Sequence, residues 1–341
     1  MTDPGTRMAW IDVARGVAIS LVVLFHTGMF TVPTGLAPGW WTDLNLAFAL
    51  LRMPLFFLVS GLLAVGAVRR TWARLWSTRL AVLVWVFVLW TILRFLYYRV
   101  MPEPIDLNQS SWVDLVLSVV RPSNGLWFLF ALAVFLVVGK AVDARAPRAV
   151  VLAVAGAASV ALHSGFTTGN VAYDGILRYF VFFLAGLWFR DRIVRLVERM
   201  STTSTVLLLG AFVAGIALRA VAGAVVDTIT ALPIASAGVL GALGASRALA
   251  DRRLARPFAH LGGRTLQVYV THVLLLSAMT TALMALPSGG LLAAVAPVLP
   301  VVLAIVAIVL SLLFARAAEA LPLTALLYRA PAWFARTPVA V

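Results

Sequence analysis

The chain has 341 residues, 62% of them hydrophobic and 12% charged, with a mean hydropathy of +1.01. A soluble domain carries roughly a quarter charged residues, so this composition excludes one and predicts a polytopic membrane protein. The net charge of +14 invites a nucleic-acid reading, but Lys and Arg cluster in alternate loops as membrane topology selects, and the absence of cysteine excludes disulfides, thiol nucleophiles and thiolate metal sites.

The apolar runs predict an all-α protein of ten transmembrane helices, at about 12–32, 43–68, 80–98, 124–142, 149–162, 176–189, 204–222, 226–246, 265–286 and 291–315. They form one integral-membrane domain, a bundle over 12–315 followed by a tail over 316–341. The fifth and sixth runs are short for a full span, and Trp112–Val120 reads as an amphipathic surface piece. The first run carries polar residues and lacks a small-residue cleavage site, so no cleavable signal peptide is expected. With the N-terminus placed in the cytoplasm, twenty Lys and Arg fall on the inner side, from Arg7 to Arg336, against Arg99, Arg121 and Arg219 outside. That asymmetry predicts both termini cytoplasmic, in a bacterial cell membrane.

The first helix holds Asp12, Arg15 and His26. Eleven residues at 100° each is about 20° beyond three turns, so Arg15 and His26 share one stripe, roughly 16 Å apart along the axis. Arg15 sits near the inner interface, where it either snorkels, pairs with Asp12 at i,i+3, or serves chemistry. His26 falls near the midplane, as a buried hydrogen-bonded histidine or as a base or nucleophile that titrates near neutrality. Arg52, in Arg52-Met53-Pro54-Leu55-Phe56-Phe57-Leu58-Val59-Ser60-Gly61, lies too deep to snorkel. An arginine at the bilayer centre costs about 2.5–3.5 kcal/mol on insertion scales, so it is expected to face the interior at about the height of His26. Its role is oxyanion or acceptor binding, or a structural pair.

Further on, the loops at 99–123 and 163–175 hold polar and aromatic groups that either line an entrance or are ordinary solvated loops. His163 and His260 attract no hypothesis, and Arg94 and Arg178 are expected to snorkel at helix ends. In Leu261-Gly-Gly-Arg264-Thr-Leu-Gln-Val-Tyr269-Val-Thr-His272, Tyr269 and His272 are neighbours on one face, either touching a cofactor or bracing the core. No Walker loop, dinucleotide fingerprint or metal-ligand spacing occurs.

These motifs together resemble the acyltransferase-3 family of integral membrane acyltransferases, and most nearly its short members without a fused hydrolase domain, such as fucose 4-O-acetylase-like proteins. The resemblance runs through Arg7…Trp10-Ile-Asp12-Val-Ala-Arg15-Gly16 with His26, then Met53–Gly61, Leu126-Trp127-Phe128-Leu129, Tyr179–Gly186 and Gly263–His272. It implies ten helices, acyl-CoA as donor from the cytoplasm with no permanently bound cofactor, a hydroxyl acceptor that is usually a sugar, and Arg15 with His26 as the essential pair. One departure is Arg52, where such members often carry histidine before Met-Pro-Leu-Phe-Phe; it bears on the acceptor more than on the reaction.

The expected function is therefore acyl transfer, most simply acetyl, from acyl-CoA to a hydroxyl of a carbohydrate or glycosylated acceptor, with the bilayer as its other partner and no nucleic acid. His26 and Arg15 are the expected catalytic residues. Arg52 and Asp12 are assigned to the acceptor or the oxyanion, and Arg15, Arg264, Tyr269 and His272 to the donor. The rivals are a transporter or flippase for a polysaccharide or lipid-linked sugar, and a membrane scaffold that tolerates loss of Arg15 or His26.

Overall fold

The computed structural model describes residues 8–105, 111–122, 125–286, 289–322 and 324–336. Arg7, part of the resemblance and of the charge count, lies outside them. The protein is 80% helical, with no strand among the described residues. Its principal helices are α1 (Ala9–Thr31), α2 (Trp40–Ala47), α3 (Ala49–Val68), α4 (Ala81–Val100), α5 (Trp127–Asp143), α6 (Arg148–His163) and α7 (Val171–Trp188). They continue with α8 (Arg190–Arg199), α9 (Thr202–Val221), α10 (Ala224–Leu249), α11 (Arg256–Gly262), α12 (Thr265–Met284) and α13 (Leu299–Glu319). Among the described residues, eight helical stretches are long and apolar enough to cross a membrane; α6 is shorter, and α5 has 17 residues. Trp112–Leu117 is a separate short helix with its tryptophan ring against Phe95.

Helix occurs over each predicted run, but two runs are broken, and the one over 291–315 is a short helix, Gly290–Val295, a turn, and then α13. The run over 43–68 is not continuous: it breaks at Phe48 into α2 and α3. A break inside an apolar layer frees carbonyls that water cannot reach. Arg52 Nη1 takes one of them, donating to Asn45 O at 3.5 Å.

Two helices occupy the centre. The first, α1, packs against α3, α10, α11, α12 and α13, while α3 also packs against α5, α7 and α10. The crossing of α3 and α7 is backbone on backbone: a Cβ on Gly61 would strike the Phe183 carbonyl, and one on Gly186 would strike the Leu58 carbonyl. Small residues at such a crossing are how membrane helices gain contact where lipid gives no hydrophobic drive. Around it Phe57, Phe128, Phe135 and Phe183 form a buried aromatic cluster.

The helix before α4 begins at Trp72 and passes through a π-helical turn, Trp76–Leu80. The segment after α13 folds back along it. Trp76 Nε1 donates to Phe334 O (3.1 Å), Trp85 Nε1 to Leu326 O (2.8 Å) and Trp90 Nε1 to Leu327 O (2.7 Å). The Trp90 ring stacks on Tyr328 and the Trp85 ring packs on Phe334.

Candidate active site

The site begins where α1 crosses α11. A Cβ on Gly16 would collide with the Phe258 carbonyl and one on Gly262 with the Asp12 carbonyl, so both positions require glycine for the helices to meet. That contact fixes the Arg15 end of α1 against the start of α12. Arg15 Nη2 donates to Thr265 Oγ1 at 2.9 Å, and Nη1 lies 3.5 Å from Asp12 Oδ1. Arg15 is thus tied to two partners, its guanidinium plane held rather than snorkelling freely.

A cavity of about 250 Å³ opens beside it. Arg15, Thr265 and Tyr269 line one side, Thr78 and Arg79 of the π-helical turn another, and Ser60 and Phe128 the interior. Two arginines at the mouth and aliphatic walls within suit a ligand with an anionic head and a slender apolar arm. Thr265, Tyr269 and His272 stand at i, i+4 and i+7 of α12, one stripe that climbs from the mouth to the bundle interior. Tyr269 Oη donates to Gly125 O at 2.7 Å and accepts from the Phe128 backbone N–H at 3.2 Å, pinning the start of α5 inside the bundle.

His26 meets the top of this stripe. His272 Nε2 lies 3.2 Å from His26 Nδ1, with the two rings edge to face at 4.9 Å. His272 Nδ1 lies 2.9 Å from Val268 O and His26 Nδ1 2.8 Å from Val22 O. A carbonyl only accepts, so each Nδ1 carries the proton in the neutral rings. His272 Nε2 is then a bare acceptor facing the His26 Nδ1–H, and His26 Nε2 keeps its lone pair. His272 is wholly buried, whereas His26 is half-buried. The arrangement is that of a base whose tautomer is fixed by a second group.

Arg52 is 8% exposed and lies inside the bundle, as the sequence predicts. Its guanidinium sits 4.1 Å from the centroid of Phe25, the neighbour of His26, and Asn45 Nδ2 donates to Phe25 O at 3.4 Å. The π face and the freed Asn45 carbonyl offset the cost of the buried cation. Arg94 corrects the expectation of snorkelling: it is 3% exposed and its guanidinium lies against Gly125, the residue that Tyr269 holds. Arg178 is half-buried, and its Nη2 donates to Leu162 O at 2.9 Å.

The structure therefore joins Arg15 to Tyr269 through one cavity and His272 to His26 through one contact. Asp12 stays with Arg15, about 21 Å along the helix axis from His26. Arg264 begins α12 but does not line the cavity. Sequence reasoning missed Thr265 and the π-helical turn at Thr78–Arg79. The first could have been found by extending the Tyr269–His272 stripe one turn back; the second has no local signal.

The acyltransferase domain of the acyltransferase-3 family matches residues 8–316. The chain belongs to the acyltransferase-3 family. Its similarity extends to the inner membrane protein YcfT of Escherichia coli (strain K12), 26% identical over 239 residues, which is 61% of this chain and 66% of YcfT, just under two thirds of that protein's length. No solved structure matches. Membership of the acyltransferase-3 family supports a membrane-embedded acyltransferase activity.

Proposed function

We propose that the protein is an O-acyltransferase of the bacterial inner membrane, moving an acyl group, most simply acetyl, from acyl-CoA to a hydroxyl of a carbohydrate or glycosylated acceptor. The observation that carries this reading is the His26–His272 contact at the head of the stripe that leaves the Arg15 cavity. The chain crosses the bilayer ten times in this reading, with the arginine-rich end of the bundle inward. Acyl-CoA enters there. Arg15 and Arg79 hold its phosphates by charge-assisted hydrogen bonds, and the pantetheine arm lies along the apolar walls.

His26 Nε2 removes the acceptor hydroxyl proton as that oxygen attacks the thioester carbonyl. The His26 imidazolium is stabilised by its Nδ1–H, shared between Val22 O and His272 Nε2. Collapse of the tetrahedral intermediate breaks the C–S bond, and the thiolate takes the proton back from Nε2. Arg52, beside the same stretch of α1, supplies positive charge for the oxyanion.

The test is release of free CoA from acetyl-CoA by protein in nanodiscs, with glycoside acceptors, paired with mass spectrometry of surface glycans from a His26→Ala strain. An acetyl increment present in wild type and missing in the variant supports the reading. Acceptor translocation without CoA consumption overturns it in favour of a transporter.

A further inference from the structure

At the opposite end of the bundle from Arg15 lies a second cavity, of about 580 Å³, within the range of ligand pockets. Five ionisable side chains from five helices converge on it: Asp43 (α2), His163 (α6), Arg178 (α7), Arg219 (α9) and Asp227 (α10). Ionisable groups that gather around one hollow in a membrane bundle mark a ligand path. Their hydrogen bonds divide them. Arg219 and Asp227 satisfy each other at 2.7 Å, and Thr228 ties α10 to the His163 carbonyl. Arg178 gives Nη2 to Leu162 O, but its buried Nε has no partner. Among the described residues the exposed Asp43 carboxylate has no hydrogen bond or ion pair. Tyr179 completes the wall, its ring stacked on Phe57 and Trp127, and with Arg178 it also borders an adjoining hollow of about 350 Å³.

We propose that this cavity binds an uncharged, hydroxyl-rich ring, a glycosyl unit, and is where the acyl acceptor waits. A buried guanidinium N–H without a partner and a carboxylate without a hydrogen bond, beside an aromatic face, match a ring whose hydroxyls both donate and accept and whose C–H face is apolar. A phosphate headgroup fits poorly, because the Asp43 carboxylate repels it and Arg219 is already held by Asp227. The floor is Leu50 and Tyr179. Leu50 lies two residues before Arg52 on α3, and Arg52 rests on Phe25, the neighbour of His26, so this cavity opens on the stretch of α3 that also serves the His26 side. Naming the ring as acyl acceptor rests on the acyltransferase reading; the site itself does not.

The native chain has no cysteine, so Leu46→Cys places a single thiol at the exposed rim of this cavity. That protein, in nanodiscs, is labelled with a water-soluble maleimide in the presence of methyl hexopyranosides or of glycerol phosphate. At about twice its dissociation constant a bound glycoside slows labelling about threefold, while glycerol phosphate has no effect. Adding Asp43→Asn or Arg178→Gln weakens binding about tenfold, so the same glycoside concentration slows labelling only about 1.2-fold. Asp43 is exposed, so its variant tests the site even if Arg178→Gln fails to fold. Protection by no glycoside, protection by glycerol phosphate, or protection untouched by Asp43→Asn overturns the proposal. Wild-type CoA release is read in the same nanodiscs: its absence ends the acyltransferase reading, and the labelling result decides the cavity either way.

Discussion

In the proposed reading His26 and His272 divide one task, and substitutions separate their shares. His26→Ala removes the lone pair assigned here to the base, so turnover of acetyl-CoA is expected to fall about 10²- to 10⁴-fold, with the helical content by circular dichroism unchanged. His272→Ala leaves that lone pair but releases the ring that orients it. A smaller loss of about 10- to 100-fold is expected, in kcat and not in the KM for acyl-CoA. Equal losses for both, or a change in KM alone for His272→Ala, count against the dyad. Arg15 acts at the other end of the stripe. Arg15→Ala loses a charge-assisted contact to the donor and should raise the KM for acyl-CoA about tenfold or more. Arg15→Lys recovers little, since an ammonium cannot bridge Asp12, Thr265 and a phosphate from one plane.

At the scale of helices, the site depends on two crossings at which backbones touch. In Gly61→Leu and Gly186→Leu the new side chain must enter the opposing backbone, and a cost of about 1–3 kcal/mol or more is expected, seen as lower melting temperature in detergent by fluorescence-detected size exclusion. Gly66 has open space where its Cβ would be, so Gly66→Ala is the control that leaves the melting temperature in place. These crossings also set what was legible in the sequence. Arg15, His26 and the Tyr269–His272 pair could be read because each lies on a single helix, where 3.6-residue periodicity assigns the face. Arg52 was placed at depth because apolar length measures depth. The joining of His26 to His272 was not legible, since it depends on how α1 and α12 cross, as set by Gly16 and Gly262 against partners that no local pattern names. Arg94 was misread for the same reason: the outer end of α4 is covered by the chain at Gly125, which re-enters the bundle, so its guanidinium is enclosed where open solvent was expected. His163 and Arg219 read as loop residues and Arg178 as a residue near a helix end; only the packing of α2, α6, α7, α9 and α10 gathers them.

Over the whole molecule, two hollows lie on opposite ends of the bundle with His26 between them, and their walls come from different stretches of chain. The wall at Thr78–Leu83 is held from behind by the segment at 324–336, through three tryptophan N–H groups and two aromatic contacts. Deleting residues 324–336 leaves every side chain of the dyad in place but frees that wall. Faster amide hydrogen exchange over 76–83 is expected, with a higher KM for acyl-CoA and slow exchange kept over 22–26. Trp85→Phe with Trp90→Phe should give the same pattern more weakly, at about 1 kcal/mol for each hydrogen bond lost. The order of synthesis gives the segment at 324–336 a second meaning. The dyad can assemble as soon as α12 is inserted, but the wall beside Arg15 is finished only after α13 has been made and the segment behind it has emerged from the ribosome. In the proposed reading, the protein thus holds its histidine pair behind an incomplete donor mouth during synthesis, and tight donor binding comes after the pair has formed.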